Sequence, residues 1–132
     1  MKYLGIDYGT KRTGIAISDS SARLSVVKET ISSSVQKAVI ERIKNIVVEE
    51  KVDSIIVGMP LNLSGEKTEM SEMVARFIEK LRNHVTIPVQ TTDERLTSQM
   101  AEKILRGINK KERDQVAAQI FLQNFLDGLS SH

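Results

Sequence analysis

The feature that most constrains this chain is an acidic residue at the end of an apolar run, followed at once by a glycine turn and a second apolar run. Residues 3–7 form the first run and end in Asp7, and Gly14 opens the second run at residues 14–18. Two short apolar runs around such a turn predict a pair of strands. A carboxylate on a core strand is costly unless it is paired, hydrogen-bonded or bound to a cation. The pattern predicts a β-sheet with a functional acid at the end of its first strand.

The rest of the sequence predicts an α/β fold, with a mixed five-stranded sheet flanked by helices. We expect strands at residues 3–7, 14–18, 24–31, 54–58 and 85–92, and helices at 35–50, 70–83, 97–107 and 113–129. Short turns join the first three strands into an antiparallel meander, whereas the later strands follow crossover helices and are therefore parallel. Pro88 indicates an edge position or a late start for the fifth strand. The serines at 32–34 are expected to cap the first helix.

Length and composition narrow the classes of protein. The 132 residues predict a single domain over 1–132, and the lack of cysteine excludes disulfides and thiol nucleophiles. No apolar run approaches the ~20 residues that span a bilayer, and no leader precedes the first strand, so we expect a cytoplasmic protein that binds no membrane. The net charge of +2 weakly favours a polyanionic partner. With few aromatic residues, the backbone of a nucleic acid is a better candidate contact than its bases.

Three acids stand out by position: Asp7, Glu94 and Asp114. Glu94 follows the fifth strand, and Asp114 opens the predicted last helix. Ligands of open α/β sheets lie outside the carboxyl ends of the parallel strands, where Asp7 and Glu94 could converge. Carboxylates suit Mg²⁺ and the metal ions of phosphodiester hydrolysis. Spacing alone leaves other interpretations open, since Asp114 is equally well explained as a first-turn acid that stabilises a helix N-terminus, and Glu94 as a surface acid.

Three basic residues, Lys11, Arg12 and Arg95, flank these acids and could hold a substrate phosphate. A solvated turn explains them about as well. The chain contains neither a Gly-x-Ser-x-Gly motif nor a P-loop lysine motif. Acyl transfer and P-loop phosphate chemistry therefore have no support.

Four motifs occur in order along nearly the whole chain and together resemble the YqgF/RuvX family of Holliday junction resolvase-like proteins. They are Asp7-x-Gly9-x-Lys11-Arg12-x-Gly14-x-Ala16-x-Ser18-Asp19, Val57-Gly58-Met59-Pro60, Asp93-Glu94-Arg95-Leu96-Thr97 and Asp114-x-x-Ala117-Ala118. The resemblance implies an RNase H-like fold and a metal-dependent nuclease that trims the 5′ end of the precursor of 16S ribosomal RNA. It implies that Asp7, Glu94 and Asp114 form the active site. The chain departs from the family at Thr13 and Arg113, where apolar residues are usual, and at Glu66-Lys67, where a second glycine often follows Gly65.

Several functions remain open from the sequence. The leading hypothesis is hydrolysis of RNA, in which the three acids hold Mg²⁺ or Mn²⁺ and the partner is precursor ribosomal RNA or a ribosomal particle. Cleavage of branched DNA would keep the same chemistry and would require a dimer; the sequence does not distinguish a monomer from a homodimer. An actin-like ATP-binding protein would need two such domains, and this chain has room for one. A non-catalytic RNA-binding ribosome assembly factor is the last alternative.

Overall fold

The computed structural model describes residues 1–60, 66–93 and 109–130 and is built on one five-stranded sheet. The strands are β1 (Tyr3–Asp7), β2 (Arg12–Ser18), β3 (Ser25–Ser32), β4 (Ser54–Met59) and β5 (Val89–Asp93). The helices are α1 (Gln36–Glu49), α2 (Glu69–Arg82) and α3 (Lys110–Ser130). The helix predicted at 97–107 lies outside the described residues.

The sheet is mixed, as the connection lengths predict. Its order is β3-β2-β1-β4-β5. β1 pairs antiparallel with β2, and β2 with β3, whereas β1, β4 and β5 run parallel. The three parallel strands therefore end at one edge of the sheet, with Asp7, Met59 and Asp93 as their last residues. We call this the carboxyl edge.

Each face of the sheet is covered by a separate apolar cluster, because side chains alternate between the two faces of a strand. The face toward α1 and α2 is packed with branched residues such as Leu4, Ile6 and Ile55, all fully buried. The opposite face is covered by α3 and uses Tyr3, Ala16, Ile56, Ala118, Phe121, Leu122 and Leu126. The long last helix is thus held against the three central strands by a core of its own. Within the described residues, no helix combines the length and the apolar character needed to cross a membrane.

The fifth strand starts late, as Pro88 indicates, and it also lies at the edge of the sheet. The predicted range of 85–92 was nevertheless wrong at its start, since residues 85–88 do not pair as a strand. Val85 instead donates its N–H to the carbonyl of Leu81 at the end of α2. Proline has no N–H to give to the sheet, so pairing begins at the residue that follows it.

The capping of the helices also differs from the prediction. The serines at 32–34 do not cap α1: its N-cap residue is Val35, which makes no side-chain capping bond. Ser33 instead accepts a hydrogen bond from the Val35 N–H at 3.1 Å and stabilises the turn before the helix. α2 begins with a capping box that was not predicted, in which Thr68 and Ser71 bond each other's backbone N–H groups.

Candidate metal and nucleic-acid site

Asp7 is half-buried at the carboxyl edge, on the face of the sheet that α3 covers. Tyr3 packs into the cluster formed with α3, and a Cβ placed on Gly5 would lie 3.0 Å from the Cβ of Leu122 in that helix. Because every second residue of a strand faces the same side, Asp7 follows Tyr3 and Gly5 on the α3 face. Strand alternation thus directs this carboxylate toward the helix that carries Asp114.

Asp114 lies over β2, the strand that pairs with β1, through a close packing of helix on strand. Gly14 in β2 is the pairing partner of Asp7. A Cβ on Gly14 would lie 1.9 Å from the carbonyl oxygen of Asp114 and 2.7 Å from the nitrogen of Gln115. The helix backbone therefore rests directly on the strand, which only glycine permits here. Asp7 and Asp114, separated by most of the sequence, both adjoin Gly14.

The interpretation of Asp114 as a first-turn acid is wrong. α3 begins at Lys110, so Asp114 is its fifth residue and lies beyond the first turn, where helix-dipole effects are strongest. The acid in the first turn is Glu112. Asn109 caps the helix, since its Oδ1 accepts the Glu112 N–H at 2.9 Å. Another explanation is needed for a half-buried carboxylate at position 114.

Arg12 supplies the nearest described counter-charge. Its Nε donates to Oδ2 of Asp114 at 3.2 Å, and the two side chains are 34% and 29% exposed. Burial raises the pKa of Asp114 above its ordinary value, and the hydrogen bond from Arg12 opposes that rise, as do the charges of Arg12 and Arg113. The ionised carboxylate is thus destabilised by its surroundings and is partly compensated by cations. Such a group is suited to binding a further positive charge.

The remaining predicted site residues are distributed as follows. Lys11 is exposed on the turn between β1 and β2, next to Arg12. Glu94 and Arg95 lie outside the described residues, although Asp93, which precedes Glu94 in the sequence, ends β5 at the carboxyl edge. In the part of the chain that is described, no three histidine, aspartate or glutamate side chains cluster closely enough to hold a metal. The described portion of the site therefore consists of Asp7, Asp114 and two basic residues, Lys11 and Arg12, which we call the basic turn.

Tyr8 holds the start of this turn from the opposite face of the sheet. Its ring stacks on Phe77 of α2, with ring centroids 4.0 Å apart and an angle of 11° between the ring planes. Its hydroxyl accepts a hydrogen bond from Gln36 at the start of α1, at 3.2 Å. Asp7 is thus followed immediately by an anchored side chain, which limits the freedom of the strand end. Sequence reasoning missed this role, because an aromatic residue beside a turn carries no specific signal.

Two further features of the site were not predicted. A glycine inside a strand can signal a close backbone approach, so Gly14 could have been identified as a contact point. The pairing of Arg12 with Asp114 joins residues 102 positions apart and has no counterpart in local spacing. Together, the half-buried carboxylates and the basic turn can hold a hard cation and an anionic group beside it.

The order and directions of the strands define the fold class of the protein. A mixed five-stranded sheet in this order, with helices packed on both faces, is an RNase H-like fold. The solved structure of Thermus thermophilus RuvC in complex with a Holliday junction substrate has this fold. It aligns with a TM-score of 0.65 at 13% sequence identity, over 99% of this chain and 96% of that chain.

The chain belongs to the RuvX family. The family model, described as Holliday junction resolvase, matches residues 1–128. A Chloroflexus aurantiacus protein named "Putative pre-16S rRNA nuclease" is 39% identical over 98% of this chain and 88% of its own length. A Rickettsia africae protein of the same name is 35% identical over 97% of this chain and 87% of its own length. Membership in this family makes the chain a nuclease, an enzyme that acts on phosphodiester bonds.

Proposed function

We propose that this chain is a metal-dependent nuclease, formed by one domain over residues 1–132, that matures the 5′ end of the precursor of 16S ribosomal RNA. The names of the relatives support this substrate. The observation that carries the catalytic part of the proposal is that Asp7 pairs with Gly14 and that the backbone of Asp114 lies against the same glycine. Precursor ribosomal RNA, free or within a ribosomal particle, is the proposed partner, and the cytoplasm is the proposed location.

Asp7, Glu94 and Asp114 are the proposed ligands of Mg²⁺ or Mn²⁺. Two observations support the fit: the donors are carboxylate oxygens, which these ions prefer, and burial disfavours the charge of Asp114 unless a cation balances it. When bound, the ion supplies an activated water and stabilises the charge that develops on the phosphate oxygens. Glu94 enters the proposal through its place in the family motif.

The basic residues would position the substrate. Lys11 is exposed on the turn between β1 and β2 and can contact a phosphate from the solvent side. Arg12 lies within hydrogen-bonding distance of Asp114 and can orient a phosphate that is held near that carboxylate. Arg95 is proposed to act with them because it adjoins Glu94 in the sequence. Contacts of this kind recognise the backbone and leave sequence selection to the shape of the RNA.

Cleavage of branched DNA is the second candidate, and the description of the family model favours it. The two functions differ in what they require of the assembly. A resolvase cuts two strands related by symmetry and therefore acts as a dimer, whereas trimming one RNA end needs a single active site. A dimer should thus prefer the four-way DNA junction, whereas RNA trimming requires only a monomer.

The experiment is a cleavage assay with Mn²⁺ or Mg²⁺ on two substrates, a 5′-extended 16S precursor fragment and a four-way DNA junction. Asp7→Asn and Asp114→Asn remove one carboxylate charge each. Asp127→Asn is the matched control, because Asp127 is an exposed acid further along the same helix. We expect metal-dependent RNA cleavage by the wild type and the control, and a loss of about 10²-fold or more in both site variants.

Other outcomes would redirect or refute the proposal. Preferential cleavage of the junction by a dimer would support the resolvase function instead. RNA binding that persists without turnover in the wild type would identify a non-catalytic assembly factor. Cleavage by Asp7→Asn at the wild-type rate would refute the role of the site.

A further inference from the structure

Arg12 would compete with a metal ion for the carboxylate of Asp114. Its Nε lies 3.2 Å from Oδ2 of Asp114, and both side chains are about one-third exposed. The pair joins the first residue of β2 to the second turn of α3, close to the Gly14 contact. A carboxylate oxygen that accepts from a guanidinium offers one coordination position fewer to another cation.

Two positive groups at one carboxylate repel each other, and they repel more strongly where solvent is partly excluded. Arginine remains charged throughout the physiological pH range, so it cannot resolve the conflict by losing a proton. Its side chain is long and partly exposed at the first residue of β2, so it can move without disturbing the core. Of the two positive groups, the guanidinium of Arg12 is therefore the one that can move away from Asp114.

We propose that Arg12 is a resident counter-ion of the metal site: it neutralises Asp114 while the site is empty, and the entering divalent ion displaces it. The displaced guanidinium is then available to a substrate phosphate. Its planar set of N–H donors matches the geometry of the phosphate oxygens. Metal binding and phosphate binding are thereby coupled through one side chain. The inference rests on the proposed function, since it takes Asp114 as a metal ligand.

This coupling predicts that removing Arg12 from the site strengthens metal binding. Arg12→Gln should bind Mn²⁺ about three- to tenfold more tightly than the wild type at low ionic strength, and the difference should shrink as salt screens the repulsion. The same variant should bind the RNA substrate more weakly in the presence of metal. A purely structural ion pair predicts the opposite for the metal, since loss of the pair would leave Asp114 poorly placed.

Two variants control for charge. Arg113→Gln removes an exposed cation that acts on Asp114 through its charge alone, without a hydrogen bond. We expect its effect on Mn²⁺ affinity to be smaller than that of Arg12→Gln. Arg12→Lys keeps a positive charge at the same position and should bind Mn²⁺ with nearly the wild-type affinity.

The test is calorimetric titration of Mn²⁺ into the wild type, Arg12→Gln, Arg12→Lys, Arg113→Gln and Asp114→Asn, without substrate. Mn²⁺ affinity in Arg12→Gln that is equal to or below that of the wild type would overturn the inference, as would equal gains in Arg12→Gln and Arg113→Gln. If Asp114→Asn binds Mn²⁺ as the wild type does, or the wild type binds none, the proposed function itself fails. Loss of binding in Asp114→Asn without a gain in Arg12→Gln defeats the Arg12 inference alone.

A second readout uses the unaltered chain and therefore does not depend on the folding of a variant. The Nε–H resonance of Arg12 is followed by NMR while diamagnetic Mg²⁺ is added. We expect it to move toward the position of a solvent-exposed arginine and to exchange faster as the site fills. A resonance that stays unchanged at saturating Mg²⁺ would show that the pair survives metal binding, and the proposal would be wrong.

Discussion

Gly14→Ala is the substitution that most directly perturbs the geometry of the proposed site. The added Cβ would lie 1.9 Å from the carbonyl oxygen of Asp114 and 2.2 Å from its carbonyl carbon. Because the optimal separation of non-bonded heavy atoms is about 3.5 Å, the start of α3 must retreat by more than about 1 Å. The neighbouring atoms are helix backbone, so no flexible side chain can absorb the clash.

This displacement should affect stability and catalysis together. Overpacking of this kind costs about 1–3 kcal/mol in the free energy of unfolding. Ala118, one turn after Asp114, is fully buried against the sheet and would be drawn away with the helix. A misplacement of about 1 Å at a reacting centre can lower a rate by about 10²-fold. We therefore expect Gly14→Ala to be both less stable and nearly inactive.

The chain offers a matched control in Gly128→Ala. Gly128 lies in α3, and a Cβ there would meet nothing within 4 Å. Alanine in a helix is favoured over glycine by roughly 0.5–1 kcal/mol, so this variant should be slightly more stable than the wild type and fully active. Urea unfolding and single-turnover cleavage measure both effects. If Gly14→Ala unfolds and cleaves like the wild type, the close contact between Gly14 and the backbone of Asp114 does not exist.

Two further predictions concern residues outside the proposed chemistry. Thr13 is fully buried, and within the described part of the chain its hydroxyl has no hydrogen-bond partner. Thr13→Val should therefore raise the free energy of unfolding by about 1 kcal/mol in urea titrations. Thr13→Ser keeps the hydroxyl and should lower the free energy of unfolding. Asp19 accepts hydrogen bonds from the Ser21 hydroxyl and from the N–H groups of Arg23 and Leu24, which lower its pKa to about 2 from 3.8. Its contribution is therefore present above pH 3.8 and is lost as pH falls toward 2, so Asp19→Ala should flatten the pH dependence of stability in that window; an unchanged slope would contradict this linkage.

The sheet could be predicted because its signals are local. Apolar runs, glycine turns and the spacing of the helices determine which strands are antiparallel and which are parallel, and Pro88 marks the start of the fifth strand. The start of α3 was placed three residues late, which led to the wrong alternative for Asp114, because the cap at Asn109 lies in a polar stretch without apolar periodicity.

The candidate site depends on contacts that have no local signal. Asp7 could be identified because an acid on an apolar strand is energetically unusual. The position of Asp114 depends on the packing of a distant helix over Gly14, and the pairing of that acid with Arg12 depends on the same packing. The family motif gives these acids as a set, whereas the contact of each with Gly14 follows from the three-dimensional arrangement of β1, β2 and α3.

The most direct test of the central claim is the number and affinity of Mn²⁺ ions bound by the wild type, Asp7→Asn, Asp114→Asn and the control Asp127→Asn, measured by calorimetry with cleavage of the 5′-extended RNA in the same samples. We predict that the wild type and the control bind Mn²⁺ and cleave, and that each site variant loses both properties together. Full Mn²⁺ binding and cleavage in Asp7→Asn or Asp114→Asn would contradict the conclusion that these two carboxylates form one metal site.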